Sequence, residues 1–321
     1  MAAILPYTDA SIALAASELR SGAVVAFGTE TVYGLGADTF NERAIARVYE
    51  LKRRPLGNPL IAHVVDLAGA KLVSTGWTRR SLRLVSACWP GPLTIILPRH
   101  AAVPASATGG HDTIAIRSPR HPLARSLLYA LGKPISAPSA NRSGGVSPTT
   151  AQHVADDYHE QNGLIVLDGG PCNVGIESTV VDLTESKPVV RRLGSITIER
   201  ISELLGPIEV DVSIVQGNSP GTSLRHYAPT LPAVIVPRDG LNDELSRGGP
   251  AAVICMPGTE VPAGHVRLEM PASGDQYAAA LYGMLRRADT CGCERIVVER
   301  PEGREGVWSA VQDRLLRATS A

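Results

Sequence analysis

Three stretches of the chain concentrate groups that handle anions or small zwitterions. Residues 52–58 place Lys52, Arg53 and Arg54 at the end of an expected helix, then turn through Pro55 toward Asn58 and Pro59. Cations at a helix C-terminus are favoured by the helix dipole, which accounts for the charge but not for the mixture. The chain has 27 Arg and only 4 Lys. Lys52 therefore invites a point-charge contact to phosphate, and Arg54 a planar, bidentate one. Residues 138–148 carry Ser139, Asn141, Ser143 and Ser147 with two glycines, and a loop of hydroxyls and backbone N–H groups can cradle phosphate. A Ser/Gly turn leading to a proline-started helix explains the same residues. Residues 28–38 match neither G-x-G-x-x-G nor G-x-x-x-x-G-K-[ST]. Thr29 or Thr31 could hydrogen-bond a zwitterion there, with Glu30 near its ammonium; an ordinary strand-to-helix loop is the competing explanation.

His63 lies in an apolar run, where a satisfied core histidine is the usual occupant. Residues 113–117 alternate so that Thr113, Ala115 and Arg117 share one strand face, and an arginine on a buried face wants an anion. No Ser-His-Asp order, HExxH or paired-cysteine site occurs, so nucleophilic hydrolysis and zinc chemistry have no positive support. Arg79, Arg80 and Arg83 form a basic stripe that reads as a solvated helix face before an RNA contact.

The elements that must position these groups follow from periodicity. Helices are expected over 9–21, 41–52, 81–88 and 149–158, and strands over 23–27, 60–65, 93–97, 113–117, 135–137, 164–167, 179–183 and 189–192. Short strands mixed with helices indicate an α+β domain over 1–212. Residues 213–232 are dense in Gly, Pro and Ser and read as an extended linker. Beyond it, expected strands at 233–236, 251–255, 265–268 and 295–298 alternate with helices at 274–288 and 304–317, a small parallel α/β domain over 233–321.

The 321-residue length suits two cores. Lys plus Arg equals Asp plus Glu at 31 each, so no whole-chain field draws the protein to nucleic acid or membrane, and any polyanion site is local. The opening residues lack a basic stretch before an apolar one, and polar residues interrupt the apolar runs, so a cytoplasmic protein is expected. Five scattered cysteines fit reduced, structural thiols.

Taken together, TETVYGLGAD (29–38), KRRPLGNPLIAHV (52–64), WPGPLTIIL (89–97), TIAIRSPRHPLA (113–124), APSANRSGGVSPT (137–149), DGGPCNVGIESTVVDL (168–183) and SPGTSLRHYAP (219–229) resemble the threonylcarbamoyl-AMP synthase family in its two-domain form. That resemblance implies an α+β YrdC-like twisted mixed sheet with helices, followed by a small α/β Rossmann-like domain. It implies a nucleotidyltransferase joining L-threonine, bicarbonate and ATP, with Mg2+ accompanying the triphosphate, into L-threonylcarbamoyladenylate and pyrophosphate. A separate transferase then modifies adenosine 37 of tRNA, so contact with tRNA itself is indirect. Thr31, His63, Arg117, Ala137 and Ser178 would contact threonine. Arg54, Asn58, Thr113, Ser139, Asn141, Ser147, Arg192 and Tyr227 would contact ATP, with Lys52 and Arg54 carrying the catalytic charge and Tyr227 covering the nucleotide from the linker. No protein metal ligand is implied. Gly28 and Leu193 stand where the family often has proline. An O-carbamoyltransferase would need a further catalytic domain, for which the region after residue 232 is short. An RNA-binding module lacks stacking aromatics beside its arginines.

Overall fold

The structure is a computed structural model that describes residues 2–212 and 227–320. Most of the expected linker therefore lies outside the described residues, Tyr227–Pro232 excepted. Among the described residues the larger sheet has eleven strands. They are β1 (Ala3–Pro6), β2 (Val25–Phe27), β3 (Gly34–Asp38), β4 (Ile61–His63), β5 (Leu93–Pro98), β6 (Thr113–Arg117), β7 (Ile135–Ala137), β8 (Ile165–Asp168), β9 (Thr179–Asp182), β10 (Val189–Arg192) and β11 (Glu209–Val210). Their order is β1-β8-β2-β3-β7-β4-β6-β5-β9-β10-β11, with parallel and antiparallel pairs mixed. A second sheet of β12 (Ala233–Val236), β13 (Ala251–Cys255), β14 (Val266–Glu269) and β15 (Arg295–Glu299) is wholly parallel, in the order β12-β15-β13-β14.

Local chemistry sets the helix ends. The Thr8 hydroxyl caps helix Asp9–Ser21 by accepting from Ser11 N, and Gly22 closes it at φ 92°. Helix Glu42–Lys52 is capped by Asn41 and ends at Arg53, which takes the left-handed conformation at φ 53°. That reversal turns Arg54 inward, its N–H bonding Tyr49 O at 2.9 Å.

Two expectations change. Residues 34–38, read as loop, form β3 antiparallel to β2. Glycines depress strand propensity, yet a Cβ on Gly36 would lie 2.6 Å from Ile135 Cγ2 and 2.7 Å from Phe27 Cε1, so packing demands the glycine that hid the strand. Helix Pro122–Leu131, which no expectation covered, buries Leu123, Leu127 and Leu131 against Ile12, Ala15 and Leu19 of the first helix.

The pleat then sorts side chains. Ala62, Ile95, Ile114 and Ile116 join the main core on one face, while Ile61, Ile96, Ala115 and Val180 form a small apolar patch on the other. The two sheets share a core as well. Val32, Val146, Ile176 and Tyr227 belong to the same cluster as Ile254, Leu281, Tyr282, Ile296 and Val311.

Candidate active site

Ile61 of the small apolar patch lines the site, and β-register places polar groups on the same face. His63 and Arg117 are directly paired across β4 and β6, Thr94 faces Arg117 from β5, and Ala137 faces Ile61 from β7. Residues paired in this way project to the same face. Arg117 is 3% exposed; its Nη2 lies 2.8 Å from Glu30 Oε1, and its Nη1 donates to Thr31 Oγ1 at 2.6 Å. Glu30 also accepts the Arg120 N–H at 3.1 Å. Burial raises the Glu30 carboxyl, but the Arg117 charge and these hydrogen bonds more than offset it, leaving the pKa below the usual carboxylate value. Glu30 pairs with Arg117 through Oε1, while its buried Oε2 has no hydrogen-bond partner among the described residues. Burial, helped by the Arg117 charge, pushes His63 down to about 4, so its imidazole is neutral at physiological pH.

Arg54 and Arg192 enter from the opposite side. Arg54 donates to Asn58 O at 3.1 Å and Pro59 O at 3.0 Å. Arg192 donates to Ser178 O at 3.0 Å and Ser178 Oγ at 3.1 Å, and that hydroxyl lies 2.7 Å from Thr94 Oγ1. Burial lowers the pKa of Arg54 to about 10, with Arg192 adding to the effect, and burial lowers that of Arg192 as well. Tyr227, at φ 62° and 1% exposed, completes the wall.

The cavity so enclosed is lined by Thr31, Arg54, His63, Arg117, Ala137, Ser139, Ser178, Arg192 and Tyr227 among the predicted residues, together with Glu177. Its open space is about 50 Å³, room for a few waters. A larger cleft of about 1020 Å³ lies beside β12 and β15, lined by Arg238, Arg300 and Arg304, and it contains none of the predicted residues. The buried charges converge in the small cavity.

The remaining predicted residues do not line it. The Lys52 ammonium is 1% exposed and donates to Asn141 O at 2.6 Å and to Asn141 Oδ1 at 3.2 Å. Burial holds its pKa well below the ordinary lysine value, with the Arg54 charge acting the same way. Asn141 Oδ1 also accepts from Ser139 Oγ at 2.6 Å, while its Nδ2 donates to Arg142 O and Gly145 O, both at 2.7 Å. Lys52 and Asn141 together knot the 139–145 loop behind the cavity. Ser147 donates to Glu177 Oε1 at 2.7 Å, Asn58 contributes its carbonyl to Arg54 and to Tyr49, and Thr113 sits at the start of β6. Sequence reasoning passed over Glu177, Thr94, Tyr282 and Arg314. Only Arg314 left a signal, as an arginine on a largely apolar stripe of Ala310, Val311, Leu315 and Ala318 that also carries Arg317.

No group of three or more His, Cys, Asp or Glu able to hold a metal occurs among the described residues. No described helix is long and apolar enough to cross a membrane. A mixed sheet that gathers buried guanidiniums and hydroxyls around one cavity supplies the groups that bind an anion beside a small polar molecule.

Comparison with known proteins narrows that chemistry. Residues 17–194 match the family model described as Telomere recombination, and residues 196–320 match that of the threonylcarbamoyl-AMP synthase C-terminal domain. The chain is 40% identical to the Bacillus subtilis threonylcarbamoyl-AMP synthase, covering 98% of this chain and 94% of that protein. It is 37% identical to the Pyrococcus abyssi enzyme of that name, covering 96% and 94%. The crystal structure of Pyrococcus abyssi Sua5 complexed with L-threonine superposes with a TM-score of 0.91 at 35% identity, covering 99% of this chain and 97% of that one. The chain belongs to the threonylcarbamoyl-AMP synthase family.

Proposed function

We propose that the protein makes L-threonylcarbamoyladenylate and pyrophosphate from L-threonine, bicarbonate and ATP, supplying a separate transferase that acts at adenosine 37 of tRNA. The observation that carries the reading is the convergence of Arg54 and Arg192 inside one cavity, where burial disfavours both cations. A polyanion between them relieves that cost, and a triphosphate is such an anion. Arg117, Thr31, His63, Ala137 and Ser178 form the threonine half, with the Arg117 guanidinium fixed by Glu30. Arg54, Ser139, Arg192 and Tyr227 form the ATP half, backed by Asn58, Thr113, Asn141 and Ser147. Lys52 acts through the loop that it ties rather than as an open charge.

The chemistry asks mainly for positioning. The threonine amine, once neutral, adds to the bicarbonate carbon with loss of water, giving a carbamate. A carbamate oxygen then attacks the α-phosphorus in line, and the bond to pyrophosphate breaks. Fixed guanidiniums and hydroxyls lower such a barrier by orientation and charge neutralisation, without a protein nucleophile. The neutral His63 adds no positive charge beside the amine. Both Glu177 oxygens already accept hydrogen bonds and Glu30 pairs with Arg117 through Oε1; Mg2+ would accompany the triphosphate and neutralise its charge.

We further propose the division 1–212, 213–232 and 233–321, with the linker covering the nucleotide. The open space of about 50 Å³ is smaller than ATP, so the nucleotide would extend beyond it along the Tyr227 wall. The test is incubation with ATP, magnesium, bicarbonate and each amino acid in turn. Threonine-dependent pyrophosphate release is expected; release indifferent to the amino acid would refute the reading.

A further inference from the structure

Glu177 lies in the loop before β9, is 6% exposed, and is held from both domains. Its Oε1 accepts from Ser147 Oγ at 2.7 Å. Its Oε2 accepts from Tyr282 OH at 2.8 Å and Arg314 Nε at 3.1 Å. Tyr282 comes from helix Gly274–Thr290 and Arg314 from helix Val307–Ala318, both beyond the linker. Arg314 is 0% exposed; its Nη2 donates to Leu193 O at 2.7 Å, its Nη1 to Asp313 at 2.7 Å, and its Cζ lies 5.4 Å over the Tyr227 ring. The Tyr227 ring in turn stacks on Tyr282 at 5.4 Å. One guanidinium thus touches the residue after Arg192, the ring of Tyr227 and the carboxylate that binds Ser147.

We propose that Tyr282 and Arg314 are positioning residues of the synthase site, through which the C-terminal domain sets Ser147, Arg192 and Tyr227 for ATP. The inference rests on the synthase reading and adds to it a task for the second domain. Stability alone gives a poor reason for this arrangement, because a buried ion pair is about neutral against well-packed apolar side chains. Arg314 shares its buried helix stripe with Ala310, Val311, Leu315, Ala318 and, at the margin, Arg317; it is the fully buried one of the two arginines, at a position where Leu or Met would serve the core. What an apolar residue cannot do is fix a carboxylate, a carbonyl and an aromatic face in one geometry. The Glu177 carboxyl, pulled down to about 2 by Arg314 and Arg192 against its burial, stays charged and keeps accepting throughout the working pH range. The groups reached directly by the cluster, Ser147, Tyr227 and the Leu193 carbonyl beside Arg192, lie on the ATP side, and of the threonine half only Ser178 is linked to it, next to Glu177 in the chain and bonded by Arg192.

That division supplies the test. Full-length Tyr282→Phe, Glu177→Gln and Arg314→Met proteins are compared with wild type for the KM of ATP, for kcat, and for threonine binding by calorimetry without ATP. Tyr282→Phe keeps the ring stack and removes one hydroxyl, so it decides the matter even where Arg314→Met does not fold. The expected result is a KM for ATP raised about threefold in Tyr282→Phe and about tenfold in Glu177→Gln and Arg314→Met, with threonine affinity unchanged and no further loss in the Glu177→Gln, Arg314→Met double variant. An unchanged KM for ATP in Tyr282→Phe, or an equal loss for both substrates, overturns the proposal. Wild type that releases no threonine-dependent pyrophosphate overturns the synthase reading instead.

Discussion

Replacing Glu30 by glutamine tests the physical logic of the threonine half. Glu30 and Arg117 bury a 2.8 Å ion pair with side chains 5% and 4% exposed, and Arg117 in turn holds Thr31 Oγ1 at 2.6 Å. Glutamine keeps the shape and the acceptor for the Arg120 N–H, but leaves the guanidinium buried without its counter-charge. Removing one partner of a buried pair costs about 3–5 kcal/mol, and the retained hydrogen bond favours the lower figure. At ~2–4 °C per kcal/mol for a domain of this size, the midpoint should fall by roughly 6–12 °C. Threonine affinity should fall about tenfold, since a charged hydrogen bond worth ~1.5–3 kcal/mol is loosened. The assays are a circular-dichroism melt and threonine calorimetry. Replacing the pair together, Glu30→Leu with Arg117→Met, should recover much of the stability and none of the binding. A Glu30→Gln midpoint within about 2 °C of wild type with unchanged threonine affinity would refute the reasoning.

Further expectations follow from other contacts. Gly194→Ala puts a Cβ 2.4 Å from Thr179 N and 2.7 Å from Glu177 O, both backbone atoms that cannot swing away, so pyrophosphate release should fall at least ~tenfold with a stability loss of ~1–3 kcal/mol. Lys52→Met removes two charged hydrogen bonds to Asn141, whose Oδ1 keeps Ser139 Oγ and whose carbonyl keeps Tyr158 OH, and should cost about 1–3 kcal/mol. Full product formation by the same variant would contradict a loop-tying role. His63 titrates near 4 when folded against an ordinary 6.5, so the folded state binds fewer protons between those values. The stabilisation is complete above 6.5 and is lost as pH falls to 4, roughly 3 kcal/mol in all. Glu177, at about 2 against 4.5, adds a second loss from 4.5 downward. His63→Gln should flatten the upper limb of a denaturation midpoint measured against pH and leave the lower limb.

Much of the fold was readable because its strands alternate or run apolar. Residues 113–117, 135–137 and 189–192 fold as strands with the expected bounds. Strand β3 escaped because Gly34 and Gly36, which its packing requires, depress strand propensity. The site was readable in part. Spacing placed Arg117 on a buried face, and register then set His63 and Thr94 beside it, which no local pattern could foretell. Lys52 was singled out by its rarity. Its ammonium nevertheless points at Asn141 because partner choice depends on contacts 89 residues apart in sequence. Glu177 looked unremarkable for the same reason: its partners Ser147, Tyr282 and Arg314 are far along the chain.

In the proposed reaction one site joins threonine, bicarbonate and ATP in sequence. Incubating the protein with carbon-labelled bicarbonate, unlabelled ATP-magnesium and L-threonine, with mass spectrometry of the products, tests it most directly. The predicted result is one labelled carbon in a threonylcarbamoyl adenylate, formed in equal amount with pyrophosphate and only when all three substrates are present. Pyrophosphate released without label in an adenylate, or a product formed without threonine, would contradict it.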